Sequence, residues 1–580
     1  MTSEQTVEGG LDEPTELEPE QGSLELASSE DRHPTADWEA AAAAVLRKAK
    51  RMTEDDADSL VWDKLTRTTL DGIGVTPLGT SDLLADLQTV GRPTRTGDWD
   101  IRAHLTGADA GALNEAALLD LNGGVTSLWL QVDDGADLAM VLDGVLLDLA
   151  PVVLDGGDPT AFLQYAEGRE LHPATNLGVD AADASGALGA TARLALEAGV
   201  LGFVVDASAI HDRGASDVQE LGYSMAVGAS YLRTLTDAGL EIDEAAGLVE
   251  FRYAATDEQF PTIAKLRAAR RLWARVLELS GATTLEQRQH AVTSRPMMSK
   301  YDPWTNMLRT TVAAFAAGVG GADGVTVLPF DSPLGHPDAM GRRIARNTSA
   351  LLISESHVAR VADPAGGAYA VEKLTDDLAV AAWAEFGRIE QDGLDALDER
   401  ITQTAAQRET EVARRERPIT GLTEFPNLTE SLPERASADE PSDVRRYGAS
   451  FEALRDEPPT LPVFLATLGT VAQHTARGTF AANLLAAGGI TAEAAGATDG
   501  VEALLAAYDG QGVVCVAGSD ATYAEWGSAA IAALREAGAQ HVIVAGAATS
   551  STDEGLDADD SCVMGLDALD FLTRTRGHLA

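Results

Sequence analysis

The stretch "LVEFRYAATDEQFPTIAKLRAARRLWARVLELSG" (248–281) holds two periods in one segment. Its opening run, LVEFRYA, predicts a short strand. From Pro261 the spacing changes: Ile263, Leu266, Ala269, Leu272, Trp273 and Val276 fall on one face at a period of about 3.6 residues, which predicts a helix. The same strand-then-helix unit recurs on both sides. Short apolar runs appear at TSLWLQV (126–132), APVVL (150–154), GFVVDAS (202–208), QHAVTSR (289–295) and GVTVLPF (324–330), with helical stretches between most of them, among them DGADLAMVLDGVLLD (134–148). Repetition over roughly 330 residues predicts a parallel α/β sheet, and the number of units favours a closed TIM-type (β/α)8 barrel over an open one.

Outward from the barrel, assigned to 96–401, the pattern changes. Residues 1–35 are acidic, rich in Glu, Ser and Pro, and are expected to be disordered. A helical extension over 36–95 begins with ADWEAAAAAVLRKAKRM (36–52), whose basic residues gather at the C-terminal end. Residues 402–460 are charged and proline-bearing, and read as a linker. Over 461–580 the alternation returns: PVFLATLG, QGVVCVAG and QHVIVAG predict strands, with helices near 478–487, 522–537 and 566–575, a small doubly wound domain.

The net charge is −48, from 91 acidic against 43 basic residues. Such a surface repels phosphate backbones and argues against a nucleic-acid partner. No apolar run reaches the ~18 residues of a membrane span, and the N-terminus lacks the apolar core of a signal peptide. Two cysteines, Cys515 and Cys562, do not make a disulfide framework, so a cytoplasmic location is expected. Lysine occurs only at Lys48, Lys50, Lys64, Lys265, Lys300 and Lys373. Self-repulsion among so many carboxylates is screened by salt, so the thermal midpoint should rise as salt is added. A midpoint that is flat or falls in a calorimetric salt series refutes this.

Several residues could carry chemistry. In VADPAGGAYAVEKLT (361–375), Asp-Pro followed by Gly366 and Gly367 predicts a turn ahead of Tyr369, with packing against a barrel end as its role. Asn306, Arg309 and Thr310 share a helical face, where the arginine is either a grip for an anionic substrate or a cap or salt-bridge residue. LPVFLATLGTVAQHTARGTFAANLLAAGG (461–489) predicts a strand, a loop holding His474 and a helix of small residues, the place where open α/β sheets bind ligands. His336 and His357 lie too far apart for ligands on one helix, and no zinc or iron site is expected.

Four ordered blocks carry a resemblance: HDRGASDVQELGYSMAVG (211–228), KLRAARRLWA (265–274), NMLRTTVAAFAAGVGGA (306–322) and DPAGGAYAVE (363–372). Together they resemble the adenosylcobalamin-dependent acyl-CoA mutases, with methylmalonyl-CoA mutase the nearest pattern, from about residue 95 to 580. The resemblance implies a TIM-type barrel that threads coenzyme A along its axis, followed by a flavodoxin-like cobalamin-binding domain.

Set against that family, the chain departs twice. Active members carry Asp-x-His-x-x-Gly, whose histidine ligates cobalt and whose aspartate orients it. Aligned on Gly478, those positions hold Gln473 and Thr475, and His474 stands one place early. Active members also carry a catalytic tyrosine where GDWDIRAHLTG (97–107) keeps Trp99, Ile101 and Arg102 but has His104. Their catalytic histidine lies five residues before a glycine that matches Gly214, which places Ala209 there; His211 reaches the position only across a loop two residues shorter.

His211, His104 and Arg309 are therefore the catalytic candidates, with no catalytic residue expected, and His474 is expected to be a solvated loop residue or an interface contact. With both motifs lost, the chain resembles the small (β) chains of heterodimeric members. The implied partner is a larger homologous catalytic chain that binds adenosylcobalamin and acyl-CoA and interconverts (R)-methylmalonyl-CoA and succinyl-CoA by a radical route in propionate metabolism. A GTPase chaperone is a further implied partner. Two alternatives stay open: an active subunit of the isobutyryl-CoA mutase type, and a protein that binds a CoA ester or a chaperone, in which Arg309 and Arg102 meet phosphates.

Overall fold

The computed structural model describes residues 33–87, 95–133, 135–179, 188–437, 443–547 and 556–579. The acidic tail expected over 1–35 lies outside them as far as residue 32. Two compact units emerge. The smaller comprises residues up to Thr68 together with Gly74–Leu78. In it, helices Thr35–Lys48 and Val61–Leu65 bury Ala43, Leu46 and Val61 against Met52, and Trp38 packs on Trp62 with ring centroids 4.6 Å apart.

The larger unit holds the barrel. Eight parallel strands, β1 (Asp100–Thr106), β2 (Ser127–Gln131), β3 (Val152–Asp155), β4 (Asn176–Val179), β5 (Leu201–Asp206), β6 (Val249–Ala255), β7 (Arg288–Thr293) and β8 (Gly324–Thr326), pair in chain order and close β8 against β1. Around them lie α1 (Asp217–Asp237), α2 (Gln259–Leu279), α3 (Thr305–Val319) and α4 (Tyr369–Asp392). The helical face read from the sequence is the buried face of α2, where Trp273 meets Phe251 of β6 with centroids 4.7 Å apart. Each large apolar side chain buried this way stabilises by about 1.5–3 kcal/mol.

Two local readings change. Only Leu138–Val141 of the stretch 134–148 is helical. Gly144 takes a φ of 76°, which turns the chain and lets Val145 and Leu147 pack from an irregular segment. The strand β4 has no clear apolar run, because Gly178, at φ 68°, lies so close to the Leu154 carbonyl that a Cβ would overlap it. The pairing with β5 shifts register there.

Past the barrel, α5 (Leu394–Ala413) runs across residue 401. It places Leu397 and Ile401 in an apolar cluster with Ile210 and Ala226, and Val412 in the core of the next layer. Leu422 and Phe451, the latter on α6 (Ala449–Asp456), join that core too, so the segment 402–460 packs as well as connects.

Five parallel strands, β9 (Val463–Thr467), β10 (Ala492–Ala494), β11 (Val513–Ala517), β12 (His541–Ala545) and β13 (Asp560–Cys562), form a sheet in the order β10-β9-β11-β12-β13. That is the flavodoxin-like order. Leu465, Cys515 and Ile543 face α7 (Val471–Ala487) and α8 (Ala568–Gly577), while Phe464, Val514 and Val544 face the opposite helices. Cys515 and Cys562 are buried free thiols. Among the described residues no helix is long and apolar enough to cross a membrane.

Candidate functional site

In the barrel, alternate residues of β1, β2, β6 and β7 point to the axis, and polar groups lead among them. Arg102 donates to Glu250 across the barrel at 2.7 Å, to Asp100 at 3.2 Å and to Ser127 at 3.1 Å. Above this layer lies Trp129, whose indole N–H donates to Asp155 at 2.9 Å. His104 stacks on it at 3.9 Å between centroids, and the Arg252 guanidinium lies 3.9 Å from the ring centre. Arg252 also donates to Asp206 at 2.7 Å and to His290 Nδ1 at 3.2 Å, and His290 Nε2 meets Thr326 at 2.8 Å.

The axis is therefore filled by ion pairs and rings. Among the apolar strand residues Leu130, Val153 and Val205, only Val153, paired beside Trp129, shares an inward row. Leu130 and Val205 alternate outward, Val205 level with Phe251. The interior is charged because pairing across the axis satisfies groups that helices packed outside could not.

This packing fixes the charge states. Burial, and then Arg295 and Arg252, drive His104 well below its ordinary range; burial, then Arg102 and Arg252, do the same for His290. Both are neutral. Burial pushes the Glu250 carboxyl up, but Arg102 first, then Arg288 and Arg252, more than reverse it and hold it below the usual range.

At the C-terminal mouth of the barrel, where such folds place their chemistry, His211 is buried with Nε2 2.7 Å from Ser294 Oγ and 3.5 Å from the Tyr447 hydroxyl. Its Nδ1 lies 3.8 Å from Glu220. Burial, Lys265 and Arg408 hold it well below its usual range, so it too is neutral. Ala209, in the same short helix Ser208–Asp212, is exposed, whereas His211 faces the mouth.

Glu220 is fully buried. It accepts from Lys265 at 2.6 Å and from the Ala254 amide at 2.7 Å, and Lys265 reaches Asp217 at 2.9 Å. Over the mouth lie described residues between α5 and α6, on either side of 438–442. The Arg445 amide donates to the Asp212 carbonyl and the Tyr447 amide to that of Pro296, while Arg435 pairs with Asp331 at 2.6 Å. These residues thereby cross the loops after β5, β7 and β8.

Arg309 is a strut. It donates to Asn306 at 2.8 Å and to the Thr420 carbonyl at 2.7 Å, while Asn306 donates to the carbonyls of Ser299 and Phe330. Thr310 bonds back to the Asn306 carbonyl. The 361–375 loop packs on the barrel through Arg267, which pairs with Asp363 and Glu372. Tyr369 remains exposed at the start of α4.

In the second sheet the candidate loop is helical. The α7 helix starts at Val471, seven residues before the predicted start at 478, because Gln473 Oε1 accepts from both the Thr470 amide at 2.8 Å and the Thr470 hydroxyl at 2.9 Å. His474 is consequently buried in the first turn, with Nδ1 3.3 Å from the Gly469 carbonyl, and is not a solvated loop residue. Thr475 bonds back to the Val471 carbonyl at 2.5 Å. Gly478 lies buried inside the helix.

Arg477 extends from the next position over the strand ends to the Gly518 carbonyl at 2.7 Å and Asp520 at 2.5 Å. The Asp-x-His-x-x-Gly pattern requires a histidine at its third position, oriented through its other nitrogen by an aspartate at its first. Gln473, His474 and Thr475 do not fit that requirement. Among the described residues, no group of three or more His, Cys, Asp or Glu is placed to hold a metal ion.

Sequence reading did not single out Trp129, Arg252, Glu250, His290 or Lys265. The signal was present as a period of two in DIRAHL and VEFRYA, polar residues alternating with apolar ones.

A model of the methylmalonyl-CoA mutase family matches residues 202–504. The methylmalonyl-CoA mutase small subunit of Streptomyces virginiae is 44% identical, over 93% of this chain and 95% of its own. That of Propionibacterium freudenreichii subsp. shermanii is 34% identical, over 95% and 96%. The mitochondrial methylmalonyl-CoA mutase of Bos taurus is 37% identical, but over only 37% of this chain and 30% of its own. Similarity to the small subunits thus runs through barrel, connecting segment and second sheet alike, and the chain belongs to the methylmalonyl-CoA mutase family.

Proposed function

We propose that this chain is the small, non-catalytic subunit of a heterodimeric methylmalonyl-CoA mutase. A larger homologous chain carries adenosylcobalamin and interconverts (R)-methylmalonyl-CoA and succinyl-CoA, and this chain contributes stability and a fixed interface. The observation that supports the reading best is the filled barrel axis. A pantetheine arm threading the barrel would meet the Arg102–Glu250 pair and the stack of His104, Trp129 and Arg252. Displacing them would leave buried charges unpaired, which costs several kcal/mol per ion.

The helical start of α7 supports it independently, since it removes the loop a corrinoid would need. Arg102 and Arg309 are both committed to internal partners, which weighs against a reading in which they bind CoA phosphates.

The test is a spectroscopic titration with adenosylcobalamin, on this chain alone and on the complex co-expressed with its larger partner. The expected result is no corrinoid binding by the isolated chain and mutase activity only in a stoichiometric complex. A histidine-ligated corrinoid spectrum in the isolated chain, abolished by His474→Ala, would overturn the proposal.

A further inference from the structure

On the flank of α7 turned away from the sheet, a groove of about 550 Å³ opens between that helix and the loop after β13. Its volume lies in the range of small-molecule sites. The floor is apolar, built from Phe480, Met564 and Leu566, and Met564 is 84% exposed although nothing charged surrounds it on the helix side, where Thr475, Ala476 and Thr479 line the wall.

The lip is cationic. Arg415 pairs with Glu424 at 2.5 Å and stands 5.6 Å from the Phe480 ring. It does so from a φ of 60°, a conformation in which a helix end ordinarily has glycine. Beside it, Arg414 is exposed, and its guanidinium has no partner among the described residues. In a chain with 91 acidic and 43 basic residues, an uncommitted arginine over an apolar floor stands out as a complement to negative charge.

We propose that this groove binds a small amphipathic organic anion, with an aromatic or acyl body against Phe480, Met564 and Leu566 and a carboxylate, sulfonate or phosphate head at Arg414. The site is separate from the strand-end crevice that Arg477 covers, and it does not depend on whether the chain is catalytic. The volume suits a small molecule, and Arg414, the one unpaired cation among the described lining residues, sets one anionic contact.

The experiment uses two dyes that share one ring system, 8-anilinonaphthalene-1-sulfonate and neutral N-phenyl-1-naphthylamine, titrated by fluorescence into the full chain. The sulfonate should saturate one site and bind about tenfold or more tighter than the neutral dye, the scale of one charge-assisted contact. Arg414→Ala should remove that preference, and Ala476→Trp, on the exposed wall, should block both dyes, with thermal midpoints unchanged. Sulfonate binding that survives both substitutions overturns the proposal. So does a complex with the larger chain that excludes the dye and is weakened by Arg414→Ala, since the groove is then a subunit contact.

Discussion

Lys265→Met should lower the unfolding free energy by about 3–5 kcal/mol at pH 8, the usual cost of leaving a buried charge without its partner. Lys265 and Glu220 are both fully buried, and the ammonium serves two carboxylates. Burial pulls Lys265 down, but Asp217 and Glu220 more than reverse it. Glu220 is in the weaker position: burial pushes it up to about 7 even with Lys265 present, and Asp217 adds repulsion.

The pH dependence has a definite sign. A carboxyl whose folded value lies above its unfolded 4.5 binds protons more tightly when folded. Its contribution is therefore full below 4.5 and is lost as the pH rises through the folded value. Without Lys265 that folded value rises further, so the variant's deficit should shrink between pH 8 and pH 6. Urea unfolding at the two pH values measures this. A loss under about 1 kcal/mol, or the same loss at both, would refute the ion-pair account.

The second large effect is expected at the barrel axis. Arg102→Leu should cost about 3 kcal/mol or more, because Glu250 is buried and loses its 2.7 Å partner. Arg288, at 3.3 Å, still reaches Glu250, but its side chain is 37% exposed and compensates weakly. The double variant Arg102→Leu, Glu250→Leu should recover most of the loss, since replacing a buried pair with apolar groups is often neutral. Denaturant curves for the single and double variants decide it. A double variant no better than Arg102→Leu would show that the deficit comes from packing and not from an unpaired carboxylate.

The sequence revealed the barrel through its outward rows. Leu128 and Leu130, Phe203 and Val205, and Phe251 and Tyr253 face helices and supply the apolar runs. The inward rows were harder to read, because a parallel strand is ordinarily buried among apolar groups on both faces. Arg102, Glu250 and His290 look like surface residues until the barrel closes and brings their partners across the axis.

The start of α7 was also written in the sequence, as Thr470-x-x-Gln473, the spacing of a capping box. Comparison with a metal-binding loop drew attention to His474 instead. The groove at Arg414 has no sequence signature at all, since α5, α7 and the loop after β13 come together only in the fold.

One long helix ties the second sheet to the barrel. By placing Leu397 and Ile401 among barrel residues and Val412 among those of the second sheet, α5 belongs to both hydrophobic clusters. A deletion of the whole helix, residues 394–413, would strip apolar cover from both at once. The second sheet is thus a buttress of the barrel, and taking it away with α5 would open apolar surface on the neighbour it leans on.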